Sequence, residues 1–65
     1  MMTPKLCWYT VVENAGYEGE HDIKTGFARP DPAWNWATRH YTAAELLTLH
    51  VQVRCDSPEG NTYEY

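Results

Sequence analysis

Two prolines bracket one aspartate at Pro30-Asp31-Pro32, and this punctuation divides the chain more sharply than any other feature. Proline lacks the backbone N–H that a central strand must donate, so β structure has to stop before it. Proline also suits the first helical position, where the N–H has no intrahelical partner. Asp31 is therefore expected to cap a helix and Pro32 to begin it. From there Ala33, Trp34, Trp36, Ala37, His40 and Tyr41 share one arc of the helical wheel, with Asn35, Thr38 and Arg39 opposite. Thr42-Ala43-Ala44-Glu45 has the form of a capping box. It predicts a break near Tyr41 and a short second helix carrying Leu46 and Leu47 into the core. One continuous helix over 32–47 is the rival arrangement.

The segments on either side read as hairpins. Lys5 to Glu13 is rich in β-branched and aromatic residues, and both of its faces are apolar. That pattern predicts a central strand covered on both sides, with Trp8 among its core residues. Asn14 to Gly19 supplies an Asn and two glycines for a turn. Glu20 to Phe27 follows as a second strand, with Ile23 and Phe27 on one face and Asp22 and Lys24 on the other. Thr48 to Cys55 alternates strictly: Leu49, Val51, Val53 and Cys55 inward, His50, Gln52 and Arg54 outward. A turn over 56–61 leads to a last short strand over 62–65. The expected fold is one α+β domain over residues 1–65, in the order β-β-α-(α)-β-β. It has a four-stranded antiparallel sheet of two hairpins and one or two helices on one face.

Sixty-five residues give only a small core, and here aromatic side chains must fill much of it: three Trp, five Tyr and one Phe. No apolar run reaches the roughly 20 residues of a membrane span, and Met1 to Leu6 has no signal-peptide pattern. These features predict a cytoplasmic protein. For Cys7 and Cys55 two states stay open, thiols kept reduced in that compartment or a bridge closing the domain.

The charge is unevenly placed. Seven of the nine acids fall in two stretches that contain no Lys or Arg. The first holds Glu13, Glu18, Glu20 and Asp22; the second holds Asp56, Glu59 and Glu64. With a net charge of −4, the chain is ill suited to bind nucleic acid directly or to rest on anionic membranes. It suits a Lys/Arg-lined surface, the kind that exists to hold nucleic acid. Glu18, Glu20 and Asp22 sit on alternating residues, so they line one face if the strand begins early. Solvated loops that keep a small domain soluble are the plainer explanation of the same charge. Whether the two stretches adjoin depends on strand order. If the first and last strands pair antiparallel, both hairpin turns lie at one end; if the first and third pair, the turns lie at opposite ends.

No catalytic motif is present. The chain's Cys and His residues lack the close spacing of a zinc site, and no residue pair has the context of an activated nucleophile or a phosphate-binding loop. The sequence therefore predicts no enzyme activity, no metal and no cofactor. Trp34 and Trp36 lie at opposite edges of the helical arc, so a single sheet cannot cover both fully. Trp36 is the candidate for a partly exposed binding anchor, against the simpler reading that both rings flank the core.

The strand KLCWYTVVE, the acidic turn NAGYEGEHD and the tail EGNTYEY together resemble small phage-encoded anti-CRISPR proteins, in particular those acting on type I-C systems. The resemblance spans the whole chain, but no diagnostic motif carries it, so no functional residue transfers by position. It implies a monomeric inhibitor in the host cytosol that mimics DNA. Its carboxylates would occupy a basic groove of a CRISPR effector complex and block target recognition. The charge map and the helical arc, not the resemblance, nominate the partner-binding residues: Glu13, Glu18, Glu20, Asp22, Asp56, Glu59, Glu64 and Trp36. The alternative is an immunity protein or antitoxin that plugs a basic toxin with the same surface.

Overall fold

In the computed structural model, residues 8–57 and 60–64 are described. Their elements are β1 (Trp8–Glu13), β2 (His21–Phe27), α1 (Pro30–His40), α2 (Ala43–Thr48), β3 (Gln52–Ser57) and β4 (Gly60–Glu64). The strands form one antiparallel sheet in the order β2-β1-β3-β4. This is the α+β arrangement that the hairpin and helix signals predict. β1 takes a central place, in keeping with its two apolar faces.

One face of the sheet carries the apolar core. Val11, Val53 and Val51 pack with Ala33 and Ala37 of α1, all essentially inaccessible to water. The two alanines let the helix axis approach the sheet closely, and larger side chains close the rim: Tyr9, Ile23, Phe27, Trp34, Trp36, Tyr41, Leu46 and Leu49. These rings are only partly buried, so small residues rather than aromatic ones form the sealed centre.

The opposite face departs from expectation. Thr10 and Val12 are fully buried, yet no helix of the described residues lies over them. Polar side chains from β2 and β3 flank Thr10 instead. Trp8, on this same face, is 43% exposed and not a core residue. It stands at the end of β1 opposite Asp56.

α1 starts earlier than Asp31 capping would allow. Arg29 is its N-cap without a side-chain cap, Pro30 opens the helix, and Asp31 lies in the first turn. Both prolines fall among the first positions, whose N–H groups have no intrahelical acceptor, so neither costs a hydrogen bond. Asp31 then faces the positive end of the helix dipole, while Arg39 and His40 sit at the negative end.

The capping box forms as its sequence predicts. The Glu45 N–H donates to Thr42 Oγ1 at 3.1 Å, and the Thr42 N–H donates to Glu45 Oε1 at 2.8 Å. The break before it excludes a continuous helix. Leu46 packs against the core, but Leu47 is 77% exposed. Adjacent helical residues point about 100° apart, and in α2 it is Leu46 that faces the core while Leu47 points to solvent. Thr48 belongs to α2, donating its hydroxyl to the Ala44 carbonyl at 2.9 Å, and not to the following strand. β3 begins only at Gln52, after His50 turns the chain with φ 51°. The second hairpin is tighter than predicted, because β3 runs to Ser57 and pairs directly with Gly60.

The β1–β2 ladder slips by one residue twice, between Tyr9 and Val11 and between Val11 and Val12. Gly26, at φ 94°, lies within the first of these slips. As a result Thr25 and Asp22 both serve the second face, while Ile23 and Phe27 still meet the core. Because β1 and β3 pair antiparallel, the two hairpin turns lie at opposite ends of the sheet.

Candidate acidic face

Arg54 organises the second face. Strand alternation puts it beside Asp56, two residues on, and opposite Thr10 of β1. Its guanidinium reaches three carboxylates. Nε donates to Asp56 Oδ1 at 2.6 Å, Nη1 to Glu20 Oε2 at 2.9 Å, and Nη2 lies 3.0 Å from Asp22 Oδ1. Nη2 also donates to Asp56 Oδ2 at 3.2 Å, which makes the Asp56 contact bidentate. The Arg54 side chain is only 13% exposed. It points away from the helices as predicted, but carboxylates cover it rather than water.

Hydrogen bonds fix the carboxylates in turn. Thr10 Oγ1 donates to Asp56 Oδ2 at 2.8 Å, and its remaining capacity accepts from Thr25 Oγ1 at 2.9 Å. Glu20 Oε1 accepts from the Gly16 N–H at 2.7 Å and from the Tyr63 hydroxyl. Glu20 therefore ties the first turn, β3 and β4 together. The Gly16 N–H, then Tyr63 and Arg54, hold its carboxyl below the usual range. For Asp56, burial pushes the carboxyl up, but the bonds from Arg54 and Thr10 outweigh it and the net shift is downward. The bond to Glu20 raises the Tyr63 phenol, and the bond to Asp56 is the main cause that raises Arg54.

The predicted site residues thus separate into groups. Glu20, Asp22 and Asp56 converge although they come from both acidic stretches and the turns lie at opposite ends. Three carboxylates against one guanidinium leave two formal negative charges over. Asp22 is the outer member, with its side chain 56% exposed. Glu18 stands exposed in the first turn, in no ion pair or hydrogen bond among the described residues. The predicted row Glu18, Glu20, Asp22 does not form a regular strand face, because Gly19 at φ 91° interrupts the alternation and β2 begins only at His21.

Glu13 is turned to the helix side. It accepts from the Tyr41 hydroxyl at 2.6 Å and lies 3.4 Å from His21 Nε2. Burial, with the Glu13 bond second, pushes the Tyr41 phenol up to about 12. Trp36 is partly buried against the core. Its ring stacks on His40 at 4.0 Å and meets the edge of Tyr41 at 6.5 Å. His40 Nδ1–H donates to the Trp36 carbonyl at 2.8 Å, so this histidine covers Trp36 from the solvent side and is itself exposed. Glu64 ends β4 opposite Val53. Glu59, Cys7 and Tyr65 lie outside the described residues, and with them the question of a Cys7–Cys55 bridge.

Among the described residues no cluster of His, Cys, Asp or Glu is arranged to hold a metal ion; the centre of the carboxylate group is filled by Arg54. No helix of the described residues is long and apolar enough to cross a membrane. The role of Arg54 is what the sequence reading missed. The signal for it was the same-face pair Arg54 and Asp56. Compared with protein-family models, curated proteins and solved structures, the chain matches none.

Proposed function

We propose that this protein is an acidic inhibitor that lays the helix-free face of its sheet against a Lys/Arg-lined, nucleic-acid-binding surface of a larger protein. The convergence of Glu20, Asp22 and Asp56 on Arg54 carries this reading. The central guanidinium and the Thr10 and Tyr63 hydroxyls hold the group in place, so little side-chain entropy remains to be lost on binding. The excess negative charge is the feature a phosphate-binding groove selects. Asp22 and Glu18 make the direct contacts, while Glu20 and Asp56 set the shape of the face. The protein acts as a monomer, by occupancy and without turnover.

The resemblance to anti-CRISPR proteins makes a type I-C effector complex in the host cytosol the first partner to examine. The test is competition for that purified complex between this protein and duplex DNA carrying the target and its PAM. Displacement of the DNA, lost about tenfold or more in the Glu18→Lys/Asp22→Lys variant with the fold retained by circular dichroism, is the expected result. Simultaneous binding of DNA and protein, or an unchanged affinity of the variant, would overturn the reading.

A further inference from the structure

The end of the sheet beyond the acidic face carries a second, apolar feature. Among the described residues three large hydrophobic side chains are exposed, and two of them, Tyr17 at 59% and Leu47 at 77%, lie at this end. His50 links the two segments: its ring packs on Tyr17 at 4.4 Å, and its backbone N–H donates to the Leu47 backbone carbonyl at 3.3 Å. The ridge has a rigid base. The Asn14 N–H donates to the Leu49 carbonyl at 2.9 Å, and the Ala15 N–H to the His50 carbonyl at 3.0 Å. These bonds lock the first turn to the α2–β3 connection. They also hold two residues other than glycine, Asn14 at φ 56° and His50 at φ 51°, in the left-handed region. Such conformations persist only where the surroundings over-determine them.

We infer that Tyr17, Leu47 and His50 form the apolar anchor of the interface, and that they enter a pocket rimmed by Lys or Arg on the partner protein. Charge complementarity selects this occupant. Glu18 follows Tyr17 directly, is exposed, and supplies the counter-charge for the rim. A second copy of the chain brings the same net charge of −4 and the same Glu18 to the contact, so it repels. An anionic lipid surface is disfavoured on the same ground. A rigid aromatic set beside a charge is the composition of an interface hot spot. Tyr17 is the more exposed of the two candidate rings; Trp36 is partly buried, with contacts to His40 and Tyr41. This inference rests on the reading that the partner is a basic protein.

Two unstructured probe peptides of equal length and equal positive charge test it on the isotope-labelled protein. One contains only Lys, Arg, Gly and Ser; the other also carries Leu and Trp. The expected result is about tenfold tighter binding of the second peptide, with the amide signals of Tyr17, Glu18, Leu47 and His50 shifting. That preference is lost in the Tyr17→Ser/Leu47→Ser variant without a fall in melting temperature, since both side chains are exposed. His50→Gly, which keeps the left-handed backbone and removes the ring, loses part of it. Equal binding of both peptides, with shifts confined to Asp22 and Arg54, overturns the inference and leaves the acidic-inhibitor reading standing. Binding of neither peptide overturns both. Shifts at Tyr17 and Leu47 that follow protein concentration alone assign the ridge to self-association and overturn the inference.

Discussion

The two faces of the sheet are built on opposite principles from one set of strands. On the helix side, Val11, Val51, Val53, Ala33 and Ala37 exclude water by packing, and no single polar contact holds them. On the other side, Thr10 is equally buried, but a chain of directed bonds through Asp56, Arg54, Glu20 and Tyr63 covers it. Apolar packing spreads its stabilisation over many atoms and tolerates repacking. A polar network concentrates it, because removing one partner strands the others. The first face therefore spreads its share of the stability over many contacts, and the second concentrates its share in a few bonds around one guanidinium.

The largest expected effect comes from breaking the network at its centre. Arg54→Met leaves three carboxylates facing one another and is expected to cost about 3–5 kcal/mol in urea unfolding. A domain of this size has little more than that in total. Adding Asp56→Leu and Glu20→Gln to Arg54→Met removes two of the three stranded charges, leaves only the exposed Asp22, and is expected to restore most of the loss. If the single variant unfolds no more easily than wild type, the two faces do not differ in the way described.

Acid probes the same network without mutation. Glu20 and Asp56 titrate lower in the folded chain than in the unfolded one. Their contribution is therefore complete above the ordinary carboxylate range and is lost as pH falls through the depressed folded values. A monotonic loss of melting temperature below about pH 4 is expected, much reduced in the triple variant. At the alkaline end the sign reverses. Tyr41, raised to about 12, contributes fully below about pH 10 and loses that contribution as pH rises toward 12.

On the packed face, Val53→Ala is expected to cost about 2 kcal/mol, the transfer of two methyl groups plus the cavity they leave. Trp8→Ala, although it removes a far larger ring, is expected to cost only about 1 kcal/mol because Trp8 stands half out of the sheet. Chemical denaturation of the pair sharpens the contrast. A Trp8 variant worse than the Val53 variant would mean that the second face holds an apolar core of its own.

The smallest effect is local. Thr42→Ala breaks the capping box and is expected to cost about 1 kcal/mol, visible as a small drop in helical circular dichroism and melting temperature.

The sequence announced the elements well where a local rule governs them. Pro30 and Pro32 stopped β2, Thr42 with Glu45 started α2, and the alternation around Val51 and Val53 placed β3 against the core. It misplaced what depends on tertiary neighbours. Trp8 reads as core because its strand is apolar on both faces, yet it stands 43% exposed at the end of β1. Leu47 reads as core because it follows Leu46, yet the placement of α2 turns only Leu46 inward. The acidic site was half legible: the acids stood out by composition, but strand order and the Arg54 side chain decide which of them meet. Glu13 is turned toward the helices for a reason no spacing reveals: it accepts from the Tyr41 hydroxyl.

The central claim is that the Arg54-centred face presents excess charge to a basic partner. Its most direct test is the association rate with the type I-C effector complex across a series of salt concentrations, for wild type and for the Glu18→Lys/Asp22→Lys variant. The account expects a steep fall in the wild-type rate as ionic strength rises, and a flat, slow rate for the variant. Equal rates for the two proteins, or a wild-type rate indifferent to salt, would contradict it.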